Sequence, residues 1–276
     1  MLHIYAHAKV NLFLNIIGQK PDGYHDIQSC FLKLNLADEI YIQSSDRVTC
    51  SVEGADIIDE NIVLKAVRYF SKVYGIPKGI NVHIKKNIPI AAGLGGGSSD
   101  AAAVLKSLPE LWSVKEISEK QLKDIALKVG ADVPFFLKNQ NSFVEGIGDI
   151  LTPIKLEQNF FIVLVNPKIS ILAKDIYKSI TNHNPSKKIK PNPESIVKEI
   201  FHGKNDLEEY VKEKYPILRE LIKNIKNQKN CIVSRMSGSG STCFGVFNKK
   251  DDAVNAVDNL SRLYSNFWIH YEEVII

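Results

Sequence analysis

A chain of 276 residues, 45% hydrophobic and 24% charged, carries enough apolar side chains for one large packed core or two ordinary ones, so a folded, soluble protein is expected. Its 35 Lys and Arg stand against 31 Asp and Glu, a formal charge of +4, which suits an anionic substrate and argues against the basic face of a nucleic-acid binder. Cys30, Cys50, Cys231 and Cys243 are scattered, form no C-x-x-C pair and lie at no metal-ligand spacing with histidine, which argues against a disulfide framework and structural zinc.

The N-terminus lacks a basic segment followed by a small-residue cleavage site, and no uncharged apolar run approaches the roughly 20 residues that cross a bilayer. A cytoplasmic protein without a membrane partner is expected. Leu2, Ile4, Ala6, Ala8 and Val10 alternate with His3, Tyr5, His7, Lys9 and Asn11, the period of a half-buried strand, which puts Lys9 and Asn11 on one face. Gln19-Lys20-Pro21-Asp22-Gly23 reads as a turn that presents Tyr24 and His25 at its exit. Further strands are expected over 27–36, 39–44 and 47–53. Asn61 then caps a helix whose stripe is Ile62, Val63, Ala66, Val67, Phe70 and Val73, stopped by Gly75. Val82, Ile84 and Ile88 mark a strand that delivers the chain to a glycine loop.

That loop is Pro89, Ile90, Ala91, Ala92, Gly93, Leu94, Gly95, Gly96, Gly97, Ser98 and Ser99, followed by Asp100 and three alanines. Glycines there remove the Cβ atoms that would obstruct close wrapping of a ligand, and they permit positive φ. Ser98 or Ser99 is expected to cap the alanine-rich helix that follows. Backbone N–H groups and the positive end of a helix dipole suit such a loop to phosphate. The letters exclude a Walker A loop, because Ser98 and not Lys follows Gly97. A dinucleotide fingerprint fits poorly: Ser98 stands where its third glycine belongs, and Pro89 interrupts the strand leading in.

A capping box at Ser118-Glu119-Lys120-Gln121 opens another helix, which ends at Gly130 and is followed by Ala131-Asp132-Val133-Pro134. Residues 143–151 read as a hairpin and 160–165 as a buried strand. The Pro-, Asn-, Ser- and Lys-rich stretch 183–193 reads as a surface loop with solvated Lys187, Lys188 and Lys190. Helices over 194–202, 205–214 and 216–227 lead to a strand through Ile232 and Val233 and a second glycine loop, Met236-Ser237-Gly238-Ser239-Gly240-Ser241. A strand over 243–247, a helix over 251–263 and a strand over 267–275 close the chain. Intermingled helices and hairpins make the class α+β. A boundary near 157 would give domains 1–157 and 158–276.

Ala8-Lys9-Val10-Asn11-Leu12, the loop from Pro89 to Ala103 and the loop from Met236 to Ser241 together resemble, in order, the three motifs of the GHMP kinases, named for galactokinase, homoserine, mevalonate and phosphomevalonate kinases. Pro21-Asp22-Gly23-Tyr24-His25, Gly130-Ala131-Asp132-Val133-Pro134 and Glu145-Gly146-Ile147-Gly148-Asp149 narrow the likeness to members whose substrate is a cytidine diphosphate-linked sugar alcohol. It spans nearly the whole chain and is weakest over 183–230. The resemblance implies a two-domain fold, with a ribosomal-S5-like N-terminal ATP-binding domain, a ferredoxin-like C-terminal domain and the active site in the cleft. It also implies phosphoryl transfer to a hydroxyl, with ATP as donor and Mg²⁺.

Such transfer requires phosphate stabilisation, positioning and a base. By resemblance the loop from Pro89 to Ser99 holds the ATP phosphates, Asp132 is the base, and Lys9 keeps it ionised and offsets developing charge. Tyr24 and His25 contact the cytosine ring; Tyr177 closes its other face or packs its own helix. Asn11 touches the substrate's polar tail or is a strand-edge amide. Asn61 reaches the nucleotide or only caps its helix. Gly238, Ser239 and Gly240 position a phosphate or form a tight β-turn. Ser99 is a candidate metal ligand, and no carboxylate cage is evident. His3, His7, His83, His183, His202 and His270 read as structural or surface residues. The implied partners are small molecules, and the chain itself is expected to be a monomer or weak dimer. The rivals are a kinase for another small alcohol, with no use for Tyr24 and His25, and a nucleic-acid binding module.

Overall fold

The structure, a computed structural model, describes residues 1–53, 61–76, 78–114, 116–155, 159–180 and 184–275. They form two compact units, each assembled from separate stretches: Met1–Ala8, Asn35–Ile88 and Gly95–Gln140 in the first, Lys9–Leu34, Pro89–Leu94 and Asn141–Ile276 in the second. The boundary expected near 157, like His183, lies outside the described residues.

Strands β1 (Leu2–Gln19) and β2 (His25–Ser45) pair as a hairpin, and each contributes residues to both units. Their turn is closed by Lys20 N–H donating to Tyr24 O (2.7 Å) and Gly23 N–H to Lys20 O (2.9 Å), with Gly23 at φ +87°, a conformation that costs only glycine little. The separate strands expected over 27–36 and 39–44 are one continuous β2. In β1 the expected alternation holds as far as Ala8, but Ala8 through Ile16 are all buried. The outer edge explains it. Leu12 O accepts from the Arg235 guanidinium (2.7 Å), Leu14 N–H donates to Lys204 O (3.0 Å), Leu14 O accepts from Asp206 N–H (2.8 Å), and Ile16 O accepts from Ser186 N–H (2.8 Å). A strand covered on both faces and along its edge has no solvent side to alternate with.

In the first unit β3 (Thr49–Val52) runs parallel to β4 (Gly79–Lys85), which pairs antiparallel with Glu39–Ser45 of β2. Helices α1 (Ile62–Tyr74), α2 (Gly96–Leu111), α3 (Glu119–Val129) and α4 (Val133–Lys138) pack together: α1 on α2 and α3, and α4 on α2 and α3. Helix α1 buries Val63, Ala66, Val67 and Phe70, whereas Val73, in its last turn, is 48% exposed. Asn61 caps α1, Gly75 ends it at φ +63°, and the capping box of Ser118 and Gln121 opens α3.

In the second unit the hairpin β5 (Ser142–Glu145) and β6 (Ile150–Pro153) pairs through β5 with Ser29–Phe31 of β2. Strands β7 (Asn159–Asn166), β8 (Val233–Met236), β9 (Cys243–Phe247) and β10 (Trp268–Ile275) form an antiparallel four-stranded sheet in the order β10-β7-β9-β8. In chain order that is 4-1-3-2, the ferredoxin-like arrangement, and α8 (Pro216–Lys226) and α9 (Lys250–Leu263) pack on it. The remaining helices of this unit are α5 (Ala173–Ser179), α6 (Pro193–His202) and α7 (Glu208–Lys214). The short α4 and α5 span too few turns to show a period in the sequence.

Residues 184–192 contain neither helix nor strand, as expected, yet they are pinned: the Gln28 amide donates to Ile189 O (3.0 Å) and accepts from Ile189 N–H (2.8 Å). Lys188, expected to be a solvated charge, pairs with Glu145 at 3.4 Å. All four cysteines are free thiols, and among the described residues no helix is long and apolar enough to cross a membrane.

Arg235 is 6% exposed and donates to Leu12 O (2.7 Å), Ile200 O (2.7 Å) and Glu199 O (3.3 Å); burial lowers its pKa to about 10. Replacing it by Met keeps an apolar stem but strands buried carbonyls, so Arg235→Met is expected to destabilise by about 2–4 kcal/mol in urea unfolding. A loss under about 0.5 kcal/mol, the range of ordinary surface changes, would show that the guanidinium does not hold this edge.

Candidate active site

The glycine loop is held by its carbonyls. Four in succession accept hydrogen bonds from three segments of the second unit: Ala91 O from Ile171 N–H (3.1 Å), Ala92 O from Thr242 N–H (3.1 Å), Gly93 O from the Ser237 hydroxyl (2.9 Å) and Leu94 O from Lys9 N–H (3.0 Å). The approach is close enough to require glycine at 93, where φ is +75° and a Cβ would meet Ser237 O at 2.2 Å. With these oxygens committed, the negative ends of the peptide dipoles are withdrawn from where an anion would sit.

Helix α2 follows at once. Its N-cap is Gly95 at φ +72°, without a side-chain capping bond, so the expected cap at Ser98 or Ser99 is corrected: both lie inside the first turn. A serine cap would fill one of the helix's orphan N–H groups with its own oxygen. Glycine leaves those of Gly96, Gly97 and Ser98 without intrahelical acceptors, the first such bond being Ser99 N–H to Gly95 O (2.9 Å). Ser99 is buried, while Pro89 is half-buried and Ile90 exposed.

Lys9 and Asn11 share a face of β1, as the alternation predicts, and both are buried. Lys9 Nζ donates to Asn11 Oδ1 (2.5 Å) and lies 4.3 Å from the centre of the Phe31 ring. The other end of the Asn11 amide donates to Ser29 Oγ (3.0 Å), and Asn11 N–H donates to Ser237 Oγ (3.1 Å). Asn11 is therefore a buried amide that holds the ammonium. Gly238, at φ +55°, passes so near that its Cβ would lie 2.9 Å from Asn11 Oδ1. Gly238 and Ser239 form the tight turn expected of them, closed by Gly240 N–H to Ser237 O (2.9 Å). Asn205, read from sequence as part of a helix, is instead buried ahead of α7, where its amide donates to Met236 O (2.8 Å) and Gly238 O (2.7 Å).

His25 is buried with its ring 5.3 Å from that of Tyr177 on α5, whereas Tyr24 is 57% exposed. Tyr177 also packs on the core of this unit, so it has the helix-packing role alongside its place beside His25. In the first unit Asn61 Oδ1 caps α1 by accepting from Val63 N–H (2.7 Å), and its Nδ2 donates to Cys50 Sγ (3.4 Å). Asp132 is half-buried at the N-cap position of α4 and makes no capping bond to it, with Pro134 in the first turn.

The sequence of the GHMP kinases' N-terminal domain matches residues 61–140, and that of their C-terminal domain residues 189–266. A 4-diphosphocytidyl-2-C-methyl-D-erythritol kinase from Alkaliphilus metalliredigens is 34% identical, over 95% of this chain and 94% of its own. One from Thermodesulfovibrio yellowstonii is 35% identical, over 100% of this chain and 99% of its own. The chain belongs to the GHMP kinase family. The crystal structure of a 4-(cytidine 5'-diphospho)-2C-methyl-D-erythritol kinase superposes with a TM-score of 0.80 at 30% identity, covering 98% of both chains. Like other GHMP kinases, this one has the two-domain α+β fold and uses ATP as phosphoryl donor.

Beneath the start of α2 this GHMP kinase has a charged cluster that no sequence motif announced. Lys86 pairs with Asp38 and, at 2.9 Å, with Asp100 Oδ2. A Cβ on Gly96 would lie 3.2 Å from Lys86 Nζ. Asp38 Oδ1 also accepts from the N–H groups of Asn87 (2.7 Å) and Ile88 (2.8 Å), whereas Asp100 Oδ1 is buried with no hydrogen-bond partner. One ammonium thus faces two buried carboxylates, and Asp100 has the fewer hydrogen-bond donors. Burial, reinforced by the Asp38 charge and opposed by Lys86, raises the Asp100 pKa from 3.8 to about 7. The Asp100 charge in turn adds to burial in pushing the Cys50 thiol up to about 11.

A folded-state pKa above the unfolded one means the native state holds the extra proton between pH 3.8 and about 7. Stability from this group is then greatest at acid pH, declines as pH rises through that window, and is level above it. The stability of the wild type relative to Asp100→Asn is expected to fall over that interval when thermal midpoints are compared across pH. A difference that stays constant there would mean that Asp100 ionises as an ordinary carboxylate.

Proposed function

We propose that this GHMP kinase transfers the γ-phosphoryl group of ATP to the 2-hydroxyl of 4-diphosphocytidyl-2-C-methyl-D-erythritol, a step of non-mevalonate isoprenoid precursor synthesis. The relatives that carry this activity in their names align over the full length at 34% and 35% identity. The observation that carries the reading is the joining of Lys9 and Asn11 to the glycine loop through Leu94 O and Ser237, because phosphoryl transfer depends on holding a cation and a phosphate loop in fixed register.

In this reading the N–H groups of Gly96, Gly97 and Ser98 and the dipole of α2 receive phosphate oxygens. Asp132 accepts the hydroxyl proton as the oxygen attacks. The Lys9 ammonium, aimed by Asn11 Oδ1, offsets negative charge developing on the reacting oxygens. His25 and Tyr177 read the cytosine by hydrogen bonding and stacking, and the exposed Tyr24 supplies a second aromatic face. Gly238, Ser239 and Gly240 position a phosphate of the substrate or nucleotide. Among the described residues no group of three or more His, Cys, Asp or Glu could hold a metal ion. Mg²⁺ is proposed to arrive on ATP, where it neutralises charge across the phosphates. Both substrates are water-soluble anions, in keeping with a reaction in the cytoplasm.

Release of ADP should be measured with Mg²⁺-ATP and, in parallel, the cytidine diphosphate-linked alcohol, homoserine, mevalonate or no acceptor. Turnover is expected with the first alone. Asp132→Asn should lower kcat by about 10²- to 10⁴-fold, the range for a general base. His25→Ala should lower kcat/KM by at least about tenfold, the worth of one lost hydrogen bond to the base. Turnover of another alcohol, with the His25 variant undiminished, would discard the cytidine reading.

A further inference from the structure

Lys9, Asn11, Ser237, Gly93 and Leu94 close a ring. Asn11 N–H donates to Ser237 Oγ (3.1 Å), Ser237 Oγ donates to Gly93 O (2.9 Å), Leu94 O accepts from Lys9 N–H (3.0 Å), and two residues of β1 complete the circuit. Of the four bonds that seat the loop carbonyls, those from Ile171, Thr242 and Lys9 come from backbone amides, which no ordinary side-chain change removes. Only the bond to Gly93 comes from a side chain, and that hydroxyl is fully buried and also engages the strand bearing Lys9.

We infer that Ser237 is a positioning residue for phosphoryl transfer: its hydroxyl sets the register between the Lys9–Asn11 pair and the phosphate loop. The inference rests on the proposed role of Lys9. The hydroxyl is used in both directions, accepting from β1 and donating to the loop, and neither an apolar side chain nor an amine can do both. With it removed, the Asn11 N–H and the Gly93 carbonyl are left buried without their partner. Asn11 Oδ1, which aims the ammonium, then shifts relative to the loop, while the backbone amides of Ile171, Thr242 and Lys9 still seat Ala91, Ala92 and Leu94. The loss should therefore fall on kcat more than on the KM for ATP.

The test compares wild type, Ser237→Ala and Ser237→Thr for kcat and KM with the acceptor that the wild type turns over, and for amide hydrogen exchange in the peptide containing Asn11. Displacement of reacting groups by about an ångström costs on the order of 100-fold, so Ser237→Ala should lose about 10- to 100-fold in kcat. Its KM for ATP should stay within about threefold, with faster exchange at Asn11. Threonine, which keeps the hydroxyl, should recover most of kcat. If the alanine variant does not purify folded, Ser237→Cys, with its weak S–H donor, takes its place under the same expectation. Unchanged kcat in the alanine or cysteine variant overturns the inference, as does a loss confined to KM or one that threonine fails to relieve. Failure of the cytidine substrate in the wild type would discard the substrate reading alone, because the ratio between variants is then taken with the alcohol that is turned over.

Discussion

The seating of four consecutive loop carbonyls, Ala91 to Leu94, is the constraint on which the rest of the second unit's chemistry depends. A glycine-rich segment by itself is a flexible chain, and ordering each of its residues costs on the order of 1–2 kcal/mol. Here that cost is met by bonds from strand β1, from the segment before α5, and from the turn between β8 and β9. One arrangement serves two ends: it commits the loop's carbonyl oxygens to N–H and O–H donors, and it makes the strand bearing Lys9 part of the same hydrogen-bonded ring.

The same economy governs the buried charges. Arg235 satisfies carbonyls at the edge of β1 and at the end of α6, where a neutral side chain could not reach so many acceptors. In the first unit Asp38 gathers two backbone N–H groups and the Lys86 ammonium, tying the exit of β4 to the start of α2. Asp100 completes the cluster but leaves one oxygen without a donor. Buried polar groups are costly when only partly satisfied, which is why this one departs so far from ordinary carboxylate behaviour.

Short-range signals were readable where one residue type has one physical use. The Asn61 cap, the Gly75 stop and the Ser118–Gln121 capping box all stand where the letters place them. The pairing of Lys9 with Asn11 followed from the two-residue period of a strand. Other readings missed because a competing interaction won. Ser98 and Ser99 are good caps by type, yet Gly95 takes the position because only glycine enters the turn at φ +72°. The break expected near residue 37 is absent: β2 runs unbroken from His25 to Ser45.

The sequence by itself determined the α+β class and the kinase family, because these reside in local periodicity and in motifs that keep their order along the chain. It could not determine that Asn205 braces the second glycine loop, that Lys86 stands between Asp38 and Asp100, or that one serine hydroxyl joins Asn11 to Gly93. Those partners lie far apart in sequence, up to 226 positions for Asn11 and Ser237. A serine or asparagine at such a place looks like any loop residue until the fold excludes water and leaves it a single set of partners.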